Sequence, residues 1–131
     1  LSFNLKVCRG EDKMEVIKNP SPEAIEQAID GIIPAAFHFV ILEANSRLNG
    51  CGCIQTIIKW DDKPQIDYMV EAHFKADGKF TYYRHYTTDA DWLKKLFRLF
   101  ALDIIPDVEG WEDATADVLR QIEKSRKKKD G

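Results

Sequence analysis

Apolar and polar residues alternate strictly from Phe3 to Val7, which is the period of a half-buried strand. Residues 9–12 (RGED) read as a turn, and residues 14–17 as a second strand. The period then changes. Ile25, Ala28, Ile29 and Ile32 recur at helical spacing behind Ser21-Pro22. Ser21 can cap the free N–H groups of a helix, and Pro22 at the first helical position gives up an N–H that would be unpaired anyway. Gly31 and Pro34 bring that helix to a stop. Residues 37–43 (FHFVILE) form a nearly continuous apolar run, which predicts a central strand covered on both faces.

After a loop at 45–50, residues 51–60 (CGCIQTIIKW) predict a strand with Ile54, Thr56, Ile58 and Trp60 on one side. A turn at 61–64 (DDKP) leads into a long hairpin over 66–87. Two helices follow. The first, capped by Thr88 or Asp89, carries a stripe of Trp92, Leu93, Leu96, Phe97 and Phe100; the second buries Val118, Leu119 and Ile122. Between them lies an acidic loop containing Pro106 and Gly110. The order is roughly β-β-α-β-β-β-β-α-α. It describes an α+β domain over residues 1–123, with helices packed on a mostly antiparallel sheet of five to six strands. Residues 124–131 are a basic tail, either the frayed end of the last helix or disordered.

The hairpin can be folded on paper. Asp77-Gly78 favours a two-residue type I′ turn, in which both central residues take positive φ. That turn sets Lys75 opposite Phe80, His73 opposite Tyr82, Glu71 opposite Arg84 and Met69 opposite Tyr86. Side chains alternate along a strand, so these pairs share one face. Val70, Ala72 and Phe74 mark the other face as core. His73 and His85 then point to opposite sides and cannot bind one metal or act as an acid/base pair. Glu71 and Arg84 become a cross-strand ion pair within a solvated polar-aromatic wall.

Charge divides the chain unevenly. The formal net charge of −3 combines a tail of five bases and one acid with a body of fourteen Lys and Arg against twenty-one Asp and Glu. From Leu99 to Leu119 there are six acids and no base. Such a body repels nucleic acid and favours basic partners. No apolar stretch is long enough to span a bilayer, and no leader pattern opens the chain, so the expectation is a cytoplasmic protein without membrane contact. Three cysteines, an odd number, argue against a disulfide framework. Cys51 and Cys53, two apart on a strand, would point the same way. A structural zinc site nevertheless needs about four ligands, with cysteines usually two to four residues apart. Free thiols are therefore expected, with neither metal nor cofactor.

Catalytic signatures are sparse. There is no GxSxG elbow, no phosphate-cradling glycine loop, and no histidine near a cysteine in sequence. His38, inside an apolar run, reads as a hydrogen-bonded core residue. Glu71 and His73 have the chemistry of an acid/base pair, but a solvated sheet face accounts for them as well. Tyr, Trp and Arg are the residues enriched at binding hot spots. Glu71, His73, Tyr82, Arg84 and Tyr86, with Trp60 beside them, are thus candidate partner contacts. Asp107, Glu109, Glu112 and Asp113 around Trp111 form a second, acidic patch that would steer a basic partner.

Ile17-Lys18-Asn19-Pro20-Ser21 before the first helix, the strand FHFVILEA, the strand YMVEAHF with its central glutamate, and Trp111-Glu112-Asp113 together resemble the small α+β immunity proteins of bacterial polymorphic and contact-dependent inhibition toxin systems. The similarity spans most of residues 14–113; the first strand, the CGC strand and the basic tail lie outside it. The resemblance implies a protein that neutralises a toxin domain, often a nuclease, by binding its basic active-site surface, with no catalytic residues of its own. The alternatives are a small enzyme or ligand-binding domain with a pocket between sheet and helices, or a homodimer paired through the hairpin.

Overall fold

The structure, a computed structural model, describes residues 2–47, 49–59 and 66–130. Its strands are β1 (Phe3–Arg9), β2 (Met14–Lys18), β3 (His38–Ala44), β4 (Gly50–Ile58), β5 (Tyr68–Ala76), β6 (Lys79–Thr87) and β7 (Glu112–Asp113). The helices are α1 (Pro22–Asp30), α2 (Ala90–Ala101) and α3 (Thr115–Asp130). All seven strands join one antiparallel sheet in the order β2-β1-β3-β4-β5-β6-β7. The α+β class is as expected, but the sheet has one strand more, inserted between the last two helices. Trp60 and the turn expected at 61–64 lie outside the described residues.

Local chemistry explains where the helices start. Ser21 Oγ accepts from Ala24 N at 3.1 Å, with Pro22 at the first helical position, and Asp89 Oδ1 accepts from Trp92 N at 3.0 Å. Both helices lie on the same face of the sheet. Ile25 and Ile29 of α1, with Leu93, Phe97 and Phe100 of α2, bury against Leu5, Val40, Leu42, Ile54, Val70 and Ala72. A fully buried side chain of this size contributes about 1.5–3 kcal/mol, so this layer carries most of the stability. Thr56, fully buried in the same layer, is satisfied by donating to Met69 O at 2.9 Å. Lys94 bridges to Asp30 at 2.6 Å, and Arg98 pairs with Glu26, which ties the two helices together at the surface.

The opposite face is covered far less. There α3 attaches mainly through its first turns, where Val118 and Ala114 pack on Tyr82. Leu119 and Ile122, expected on its buried side, are exposed, and Ile122 borders an open groove between this helix and the sheet. The basic tail continues this helix to Asp130. For the same reason β3 is buried on one face only. Val40 and Leu42 are buried, whereas Phe39 and Ile41 on the other side are partly open. His38 opens β3 half-buried, opposite exposed Arg9 at the very end of β1, and is not a core histidine. No described helix is long and apolar enough to cross a membrane.

Candidate functional site

The hairpin folds as its turn chemistry dictates. Asp77 and Gly78 have φ of 52° and 80°, the positive pair that a type I′ turn requires. Register follows: Met69 faces Tyr86, Glu71 faces Arg84, His73 faces Tyr82 and Lys75 faces Phe80. His85 leaves by the other face, where its ring stacks on Trp111 at 5.4 Å and tilts against Trp92. The two histidines are therefore separated by the sheet. Trp111 packs against the core layer.

Glu71 lies at the centre of the face under α3 and is only 3% exposed. Its Oε2 accepts from Arg84 Nε at 2.8 Å and Nη2 at 2.7 Å. Its Oε1 accepts from Gln55 Nε2 at 3.1 Å and meets His73 Nε2 at 3.3 Å. Arg84 Nη1 continues to Asp117 Oδ2 of α3 at 2.9 Å, so the ion pair also anchors the helix. Burial alone would raise the Glu71 pKa, but the hydrogen bonds and positive charges of His73 and Arg84 outweigh it and hold the carboxyl below its ordinary value. Burial likewise opposes charge on His73. The neighbouring Cys53 side chain and the Glu71 carboxylate prevail and push it up to about 9. Asp117 is lowered by its hydrogen bond to Arg84.

The solvated wall expected on this face is therefore largely internal. Glu71 and Tyr82 are buried, and Arg84 nearly so. Their neighbours satisfy them, because Asp117 gives Arg84 a second carboxylate and Val118 seals Tyr82. His73 keeps partial access through two adjoining cavities that also share Tyr82. One is a groove of about 720 Å³ between sheet and α3, walled by Phe39, Gln55, Glu71 and Ile122. The other holds about 290 Å³ and includes Arg47, Cys53, Lys75 and Phe80. Tyr86 is exposed at 41%, with Lys59 Nζ 4.8 Å above its ring.

The second patch is open throughout. Asp107, Glu109, Glu112 and Asp113 are all exposed, and so are the apolar side chains of Leu102, Ile104 and Ile105 just before them. Glu112 and Asp113 are strand β7, pairing with Arg84 and Tyr83. Nothing in two adjacent acids announces a strand. The segment is held by Ala114 N donating to Tyr82 O at 2.8 Å and by the Thr115 hydroxyl accepting from Tyr82 N at 3.0 Å.

Spacing misled most at Cys51 and Cys53. A bulge places Cys51 opposite Phe74 and Cys53 opposite His73, leaving Gly52 unpaired. The thiols consequently sit on opposite faces and cannot share a metal. Cys51 is fully buried in the core layer, and burial pushes its pKa up to about 12. Cys53 joins His73 on the other face. A histidine beside a cysteine was absent from the sequence but is present in space. The signal that could have revealed it was Gly52, a glycine within a strand, which marks candidate bulges. Comparison with family models, with curated proteins and with solved structures finds no match to this chain.

Proposed function

We propose that this protein is a non-catalytic binding module that docks a basic protein surface through the segment 102–113. Its role on this reading is that of an immunity protein, which neutralises a toxin domain by covering its basic active-site surface. The observation that carries the reading is the composition of that segment. Asp107, Glu109, Glu112 and Asp113 are exposed beside exposed Leu102, Ile104 and Ile105, with no basic residue from Leu99 to Leu119. Acidic rims accelerate encounter with cationic partners, and apolar side chains among them supply area to desolvate. The layout-level resemblance to immunity proteins supports the choice of partner. Tyr86 of the hairpin wall is exposed and is a further candidate contact.

The test first asks whether the neighbouring gene encodes a toxin domain and then measures association of that domain with this chain. Glu109→Lys with Glu112→Lys should slow the on-rate at low salt about tenfold or more, and high salt should shrink that difference. An on-rate unchanged by the double reversal at low salt would exclude the segment. The alternative, a small enzyme or ligand-binding domain, draws on the groove beneath α3, where His73 meets solvent among buried polar groups.

A further inference from the structure

The two edges of the sheet are finished differently. At one, β7 is two residues long and consists of the exposed acids Glu112 and Asp113. Shortness and charge are the usual devices that keep an edge from pairing. At the other, β2 is five residues long, and among the described residues nothing pairs with its outer side. Met14 and Val16 are each 50% exposed there.

The hydrogen-bond parity of β2 determines which of its groups are free. Arg9 N donates to Lys13 O at 3.0 Å, and Asn19 N donates to Phe3 O at 2.8 Å, so the bonded pairs of this ladder hold the odd-numbered residues. Bonded and non-bonded pairs alternate in an antiparallel ladder. Glu15 and Ile17 are therefore bonded to β1, while the N–H and C=O groups of Met14, Val16 and Lys18 point outward. The next outward position is Pro20, which has no N–H and ends the open edge.

We propose that β2 is a self-association edge, which pairs antiparallel with β2 of a second copy of this chain about a two-fold axis at Val16. Val16 faces Val16 of the second copy, and Met14 faces Lys18 in both directions, each pair exchanging two backbone hydrogen bonds. A centre at Glu15 or at Ile17 keeps only the Met14–Val16 or the Val16–Lys18 pairs. The Val16 register thus satisfies the most outward groups.

Side chains agree with that register. On one face Val16 packs on its own copy, and the aliphatic stem of Lys18 lies along Met14. On the other, Glu15 stands opposite Ile17, which already packs against the core layer. No two like charges face each other. The nearest, the two Glu15 carboxylates on the diagonal, are each held by Arg9 Nη1 at 2.8 Å. A second copy is the occupant for which the backbone groups and the side chains are both matched by the chain's own sequence. The contact is isologous, so the two sheets become one, with α1 and α2 of both copies on the same side. The docking segment 102–113 ends in β7 at the opposite edge, and this assignment is independent of it.

The experiment is sedimentation of the full chain from about 1 to about 300 µM, the range suited to an interface as small as one edge strand. The mass should rise from monomer towards dimer across it, and amide exchange at the high end should slow most at Met14, Val16 and Lys18. Val16→Lys and Val16→Glu should each associate about tenfold more weakly alone, because like charges then face each other, and an equimolar mixture of the two should recover the dimer. Three results would each overturn the proposal. They are a chain that stays monomeric throughout, which would leave β2 to an extended segment of another protein; a dimer that Val16→Lys does not weaken; and a mixture no better than its components. Val16 is half exposed, so neither substitution opens the core, and the wild-type series decides the first result without them.

Discussion

The two faces of this sheet are held by different physics. One is dry and continuous: α1 and α2 cover Leu5, Leu42, Ile54 and Val70 with Ile29, Leu93, Phe97 and Phe100. The other is covered less completely by α3 and relies on a buried ion pair, with a small aliphatic contact from Ala114 and Val118. Apolar burial tolerates small shifts in position, whereas the Glu71–Arg84–Asp117 chain works only if every partner is in place. The lesson is that the first face makes the fold and the second fixes where α3 sits.

The contrast is sharpest where each face is cut. Phe97→Ala should cost about 3–5 kcal/mol in chemical denaturation, because it opens a cavity among fully buried neighbours. Arg84→Ala should cost about 3 kcal/mol by leaving the buried Glu71 Oε2 without a donor, whereas Glu71→Leu combined with Arg84→Met should cost far less. If the single and double changes were equally damaging, the network would owe its stability to packing rather than to charge.

The smallest effect is in pH. His73 is raised from 6.5 to about 9, so it binds its proton more tightly folded than unfolded. Its contribution is complete below about pH 6.5 and disappears as pH rises through about 9. Glu71 has the opposite sign: its lowered pKa contributes stability that is lost on acidification. The melting temperature should therefore fall between pH 6.5 and 9 in the wild type, and fall less in His73→Gln. An identical slope in both would remove His73 from the network's energetics.

The hairpin was legible to the last pair, because Asp77-Gly78 selects one turn and the turn selects one register. The Ser21 N-cap and both apolar helix faces over the core were legible for the same kind of reason, a local pattern with one low-energy solution, while the second cap was narrowed to Thr88 or Asp89 and is Asp89. What could not be read were consequences of position. Glu71 and Arg84 were paired correctly, but their burial depends on where α3 lands, and the Val118, Leu119, Ile122 pattern is silent on how far that helix follows the sheet. β7 has no pattern at all; Tyr82 and Thr115 recruit it. The Cys53–His73 neighbourhood depends on a single bulged residue.

That residue changes how this strand can vary in length. Removing one residue from an ordinary strand inverts the inside and outside of everything beyond the cut. Gly52 is already supernumerary: Cys51 and Ile54 face the same layer although they are an odd number of positions apart. Deleting Gly52 would restore simple alternation and leave Cys51, Ile54 and Thr56 inward, with Cys53 and Gln55 still outward. At this point β4 can be shortened by one residue without turning any other side chain over.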